Sequence, residues 1–239
     1  MTKQKLQKSI GNKTLMFLAI NAILGTGIFF LPAAGASIAG ASSMISWIIM
    51  ALVAIGISLY FAELVGMFPK SGGVYEYVKQ AFGHFAGFIF GWTAWIIANL
   101  TIAMLVAGSI LYIMPGAGME ISIAFALFFI LIFNAISYAG ISLSTKFLLV
   151  FGILTVATIA ILIMPGVAAV DLSNFIFLAP LPSIFLAVYM ISETFFGWET
   201  VTYLSEEVKN PKILPKTIVV ATIFIAILSL LLVFVSIGI

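Results

Sequence analysis

The chain has no cysteine, no arginine and one histidine among its 239 residues. Without cysteine, disulfides and thiol chemistry are excluded. The lone His84 finds too few companions for a metal site, so no metal is expected. Charge is scarce as well: 8% of residues are charged, and all ten basic ones are lysines. They form no patterned basic face, which argues against nucleic-acid binding. No phosphate loop, nucleophile elbow or zinc motif occurs, so neither an enzyme nor a bound cofactor is expected.

What the chain has in abundance is apolar sequence, 64% of its residues. A soluble core of this size cannot absorb that share, whereas a lipid-embedded bundle can. A spanning helix needs about 20 mainly apolar residues. Reading for such runs predicts an all-α membrane protein with seven transmembrane helices, at 14–38, 41–66, 84–113, 120–139, 145–166, 183–206 and 216–239. The first run follows a lysine-rich lead, but it is too long for a signal-peptide core and further spans follow, so it is read as a span.

The lysines orient these spans. Lys3, Lys5, Lys8 and Lys13 precede the first; Lys70 and Lys79 lie between the second and third; Lys146 lies between the fourth and fifth; Lys209, Lys212 and Lys216 lie between the sixth and seventh. The alternate loops hold only Glu120 and Asp171. By the positive-inside rule the amino terminus is cytoplasmic and the carboxyl end of this chain external. The lipid bilayer is thus the first expected partner. The loop after Pro69 contains Gly72-Gly73, then Val74, Tyr77, Val78, Ala81 and Phe82 at helical spacing, which predicts a short amphipathic helix at the cytoplasmic interface.

Two spans carry breaks. The first is cut by Gly25-Thr26-Gly27, the sixth by Phe196-Gly197-Trp198-Glu199. Unwound backbone is costly in lipid and persists where it faces a cavity. There the half-helix poles bind ions or zwitterions. A half-helix starting near Ile28 would offer amides to a carboxylate, and carbonyls near Leu24 and Glu193–Phe195 would suit an amine. A free amino acid carries both groups. Glycines also serve close helix packing; the matching break five spans later favours the site reading. Five is odd, so a repeated five-helix unit would lie upside down. This divides the chain into a cytoplasmic segment 1–13, a first repeat 14–166, an external loop 167–182 and the start of a second repeat at 183–239.

Glu193 and Glu199 are the costliest residues to place in lipid, each about 2.5–3.5 kcal/mol on insertion scales. They are candidates for carrying a coupling proton or pairing with a cationic substrate. Asn99, mid-span, reads equally as an interhelical hydrogen-bond partner and as a site residue. Glu63, Asn134 and Tyr138 read as structural, and Gly83, Gly87 and Gly91 as a close helix contact.

Four patterns in order, Gly25-Thr26-Gly27-Ile28-Phe29, Pro69-Lys70-Ser71-Gly72-Gly73-Val74-Tyr75, Phe196-Gly197-Trp198-Glu199 and Glu206-Glu207-Val208-Lys209-Asn210-Pro211, resemble the amino acid–polyamine–organocation transporter superfamily. The resemblance implies a five-plus-five inverted repeat, alternating access, and proton-coupled symport or exchange of amino acids. The alternatives are a polyamine or cationic amino acid exchanger and a non-transporting fragment. It implies a substrate site of Ile23, Gly25, Thr26, Gly27, Ile28, Asn99, Glu193, Phe195, Phe196 and Trp198, with Glu193 and Glu199 as proton-coupling candidates. Three departures stand out. Glu193 occupies a position where some members carry an aromatic gate. No lysine follows Lys146 in the fifth span, where Thr155 lies near the depth at which some members use one. The chain also stops in its seventh span where members have ten or more, which implies a truncated product or fragment.

Overall fold

The computed structural model describes residues 8–25 and 27–239. Ten α-helices follow in chain order: α1 (Asn12–Leu24), α2 (Leu31–Ala39), α3 (Ser43–Met67), α4 (Val74–Phe82), α5 (His84–Ile113), α6 (Met119–Tyr138), α7 (Ile141–Val167), α8 (Leu181–Ile191), α9 (Trp198–Tyr203) and α10 (Leu214–Gly238). The described residues contain no strand; one isolated parallel bridge joins Ile10 to Val208. They fall into two compact units, one of residues up to Gly73 with Leu148–Ile239, the other Val74–Phe147.

Among the described residues, six stretches are long and apolar enough to cross a membrane: Leu31–Met67, His84–Ile113, Met119–Tyr138, Leu143–Val167, Leu181–Tyr203 and Pro211–Gly238. Seven were expected. The difference lies in the first run, which is delivered as a 13-residue α1 and a nine-residue α2, neither long enough alone. The expected start near Ile28 also moves. A 3₁₀ turn covers Gly27–Phe29, and α2 begins at Leu31 with Pro32 in its first turn. Proline has no N–H to lose there and a preset φ, so it anchors the helix start.

The first unit has an apolar core that includes Leu15, Ile23, Trp47, Phe195 and Ile218, but it departs from a soluble protein in two ways. Its α10 packs along α3 and α1, and α2 packs on α8. Small polar residues lie inside: Ser46, Ser58, Thr217, Thr222 and Ser229 are all buried. Large apolar ones point out, such as Leu52, Leu59 and Ile227. Lipid offers no hydrophobic drive to association, so helices meet through small side chains and hydrogen bonds. Most of these hydroxyls are satisfied locally: Ser58 donates to the Ile55 carbonyl (2.7 Å), Thr217 to Ile213 (2.9 Å) and Thr222 to Ile218 (2.9 Å). Ser46 instead reaches across to the Ile184 carbonyl of α8 at 2.9 Å.

The second unit contains the expected short amphipathic helix, α4, packed on α5. Gly87 and Gly91 allow that approach. A Cβ on Gly87 would lie 2.8 Å from the Lys79 Cβ, and one on Gly91 would lie 2.9 Å from the Tyr75 ring. Gly83 differs from the expected ladder: nothing lies within 4 Å of its Cβ position, and it serves as the left-handed cap of α5 at φ +88°. On α4 the Lys79 ammonium bonds the Glu76 carboxylate at 3.0 Å, which holds it above the usual lysine range.

Candidate functional site

Both interruptions are present. The first opens at Gly25, whose φ of +58° and ψ of −177° end α1, and closes with the Gly27–Phe29 turn. Only glycine takes such a φ without strain. The second is wider than the four residues expected. A 3₁₀ segment runs Ser192–Phe195, Phe196 is extended, and Gly197 turns the chain at φ +131° into α9. The α9 stretch ends at Tyr203, and a turn leads to Val208.

The two breaks face each other. A Cβ built on Gly25 would lie 3.7 Å from the Glu193 carbonyl oxygen, and one on Gly27 would lie 3.4 Å from the Thr194 hydroxyl. A Cβ on Gly197 would overlap the Ala22 carbonyl and lie 3.2 Å from the Ile23 Cα. So residues 22–25 and 193–197 run past one another in opposite senses, with backbone touching backbone where glycine removes the side chain. A second tie lies one half-helix away: Ile10 N–H donates to the Glu207 carbonyl (3.1 Å) and Lys209 N–H to the Ile10 carbonyl (2.9 Å).

Around this junction the predicted residues divide. Ile23 and Ile28 are fully buried, so their side chains pack while their peptide units belong to the break. Thr26 lies outside the described residues. Phe195 is buried against Trp47, ring centroids 6.4 Å apart. Trp198 sends its indole into the helix packing, donating to Thr222 Oγ1 at 2.9 Å and stacking on Phe61 at 5.8 Å. What Trp198 brings to the junction is therefore backbone. Phe196 and Glu193 are exposed, Glu199 half-buried. Neither carboxylate has a hydrogen-bond partner among the described residues. Asn99 belongs to the other compact unit, exposed, with its amide donating to the Trp95 carbonyl of its own helix at 2.8 Å. Thr155 is half-buried on α7.

Two residues at the junction escaped the sequence reading. Thr194 is fully buried, and its hydroxyl has no hydrogen-bond partner among the described residues. Asn21, one turn before the first break, lies against α7, where a Cβ on Gly152 would be 3.2 Å from the Asn21 Cβ. Both are polar residues inside apolar runs, a legible signal; their placement is not. A recess of about 660 Å³ opens beside the first break, lined by Ile28, Phe29, Pro32, Leu232 and Ile237 among others. It touches no residue of the second break, and we assign it no part in the junction.

The model of a family described as amino acid permease matches residues 10–239. The chain belongs to the amino acid permease family. Its similarity extends to the branched-chain amino acid permease BcaP of Bacillus subtilis, 28% identical over 95% of this chain and 54% of that protein. The uncharacterized amino acid permease YecA of the same organism is 32% identical over 98% of this chain and 56% of its own length. The human large neutral amino acids transporter small subunit 2 is 27% identical over 90% of this chain and 44% of that protein. The chain thus spans about half the length of the relatives it matches. The chain is a multi-pass membrane protein of this family, whose matched relatives are permeases and transporters and not enzymes.

Proposed function

We propose that the protein is a secondary active transporter of amino acids, or the portion of one that carries the substrate junction, working by alternating access with proton coupling or exchange. The carrying observation is the meeting of the two breaks, Gly25 against the Glu193 carbonyl and Gly197 against Ala22. Amides near Gly27 and Ile28 suit the carboxylate and carbonyls at Glu193 suit the amine. The family match and its amino acid permease relatives support the substrate class. The five-plus-five inverted repeat, with segments 14–166 and 183–239, and a cytoplasmic amino terminus complete the reading. Glu193 and Glu199 are the proton-coupling candidates. The exposure of Glu193 at the break also favours a cationic amino acid or polyamine as a second reading.

Uptake of labelled amino acids and amines into proteoliposomes across an imposed pH gradient tests this. Saturable, gradient-dependent uptake of amino acids is the expected result, with the pH profile shifted in Glu193→Gln or Glu199→Gln. Identical profiles for wild type and both variants would remove the proton role. An absence of both uptake and saturable binding for every amino acid would remove the transporter reading.

A further inference from the structure

Three fully buried hydroxyls among the described residues, those of Ser43, Thr194 and Ser229, have no hydrogen-bond partner, and of these Thr194 is the one that lies on an interrupted span. Most hydroxyls packed between the helices bond a carbonyl, their own helix's in Ser58, Thr217 and Thr222 and a neighbour's in Ser46. Thr194 does neither, although it has no exposed surface at all. The 3₁₀ winding of Ser192–Phe195 withdraws it from the regular ladder. A buried hydroxyl without a partner costs about 1–3 kcal/mol, a cost that a ligand acceptor would offset. What distinguishes Thr194 is its direction. The hydroxyl stands 3.4 Å from where a Gly27 Cβ would be, facing the first break. The other neighbour of that point is the end of the Leu31 side chain, which is flexible.

We propose that the Thr194 hydroxyl is a specificity-determining group of the substrate junction, donating a hydrogen bond to the carboxylate of the bound amino acid beside Gly27. This rests on the transporter reading above and deepens it. Amides of the first break recognise an anionic group from one side only. A hydroxyl from the second break closes the other side, so a carboxylate would be held by both interrupted spans at once. A neutral amide in the same place presents an acceptor too, but it lacks the charge that roughly doubles such a bond. Thr194 would therefore separate amino acids from their amides. Binding would also tie the two breaks together through the ligand, because the hydroxyl and the amides belong to different spans.

The test uses the full chain in nanodiscs, with affinity read from ligand-induced thermal stabilisation. The probes are L-leucine, or whichever common L-amino acid gives the largest shift, and the amide of the same amino acid. Wild type is expected to prefer the acid over the amide. Thr194→Ser should keep that preference. Thr194→Val should lose about tenfold or more of the affinity for the acid, the scale of one hydrogen bond to a charged group, and little for the amide. Its stability without ligand should equal or exceed that of wild type, since no protein bond is lost. Wild-type affinity for the acid in Thr194→Val, or an equal loss for acid and amide, would overturn the assignment of Thr194 alone. A wild-type chain stabilised by none of the amino acids would overturn the amino acid reading itself. If Thr194→Val cannot be isolated, Thr194→Ala carries the same acid-against-amide comparison.

Discussion

Glycines in α5 and glycines at the two breaks do opposite things in similarly apolar sequence. In α5, Gly87 and Gly91 stay helical and let α4 approach, and Gly108 faces open space. At the breaks, Gly25 and Gly197 leave the helical region for positive φ. Glycine permits an interruption without causing one. The partner decides: α5 offers its glycines to the side of a neighbouring helix, whereas the broken spans offer theirs to each other's peptide units.

The largest expected effect breaks that comparison at its tightest point. Gly197→Ala would drive a methyl into the Ala22 carbonyl while forcing alanine to a φ of +131°. Positive φ alone costs about 1–3 kcal/mol and overpacking a similar amount, and here the obstacle is backbone. Loss of monodisperse, thermally cooperative protein is expected. Gly108→Ala, by contrast, should be neutral or stabilise α5 by up to about 1 kcal/mol. Equal behaviour of the two variants in a thermal unfolding assay would show that the breaks are not in contact. A middle effect is expected for Gly87→Ala, about 1–3 kcal/mol, because the Lys79 Cβ must give way. Its loss should be confined to the packing of α4 and leave amino acid binding unchanged.

The smallest effects concern two loop acids with opposite surroundings. Burial raises the Glu207 carboxyl above its ordinary value, so its folded state holds the proton longer. The associated stability is present at low pH and falls as pH rises from the ordinary glutamate range to the raised one. Asp171 is lowered by the Ser173 N–H and side chain, so its contribution is present above the ordinary aspartate range and fades as pH falls through the lowered value. Melting temperatures against pH for Glu207→Gln and Asp171→Asn should flatten the curve with opposite signs. Slopes of the same sign would refute the assigned surroundings.

Much of the fold was legible in the sequence because membrane helices obey few rules. The third run predicts a helix over 84–113, and the structure has His84–Ile113; the spacing from Val74 predicts a short amphipathic helix, and the structure has Val74–Phe82. Apolar length and helical spacing suffice for these elements. Edges of the broken spans were less legible. Pro32 moved the start of α2, and the second break begins at Ser192, four residues before Phe196, where the sequence placed it. Within the candidate site, glycine positions were readable from composition, but side-chain directions were not. Trp198 turns its indole to Thr222, 24 positions onward in the chain, and no local pattern encodes that choice.

Apolar length, the lysine pattern and the paired glycine interruptions follow from the order of residues alone, because each reflects a local cost: backbone in lipid, charge in lipid, strain at positive φ. Which peptide unit meets which, and that Thr194 is the hydroxyl left without a partner between them, was decided only when the spans packed. Those contacts join residues some 170 positions apart, and their geometry depends on how closely two backbones come together.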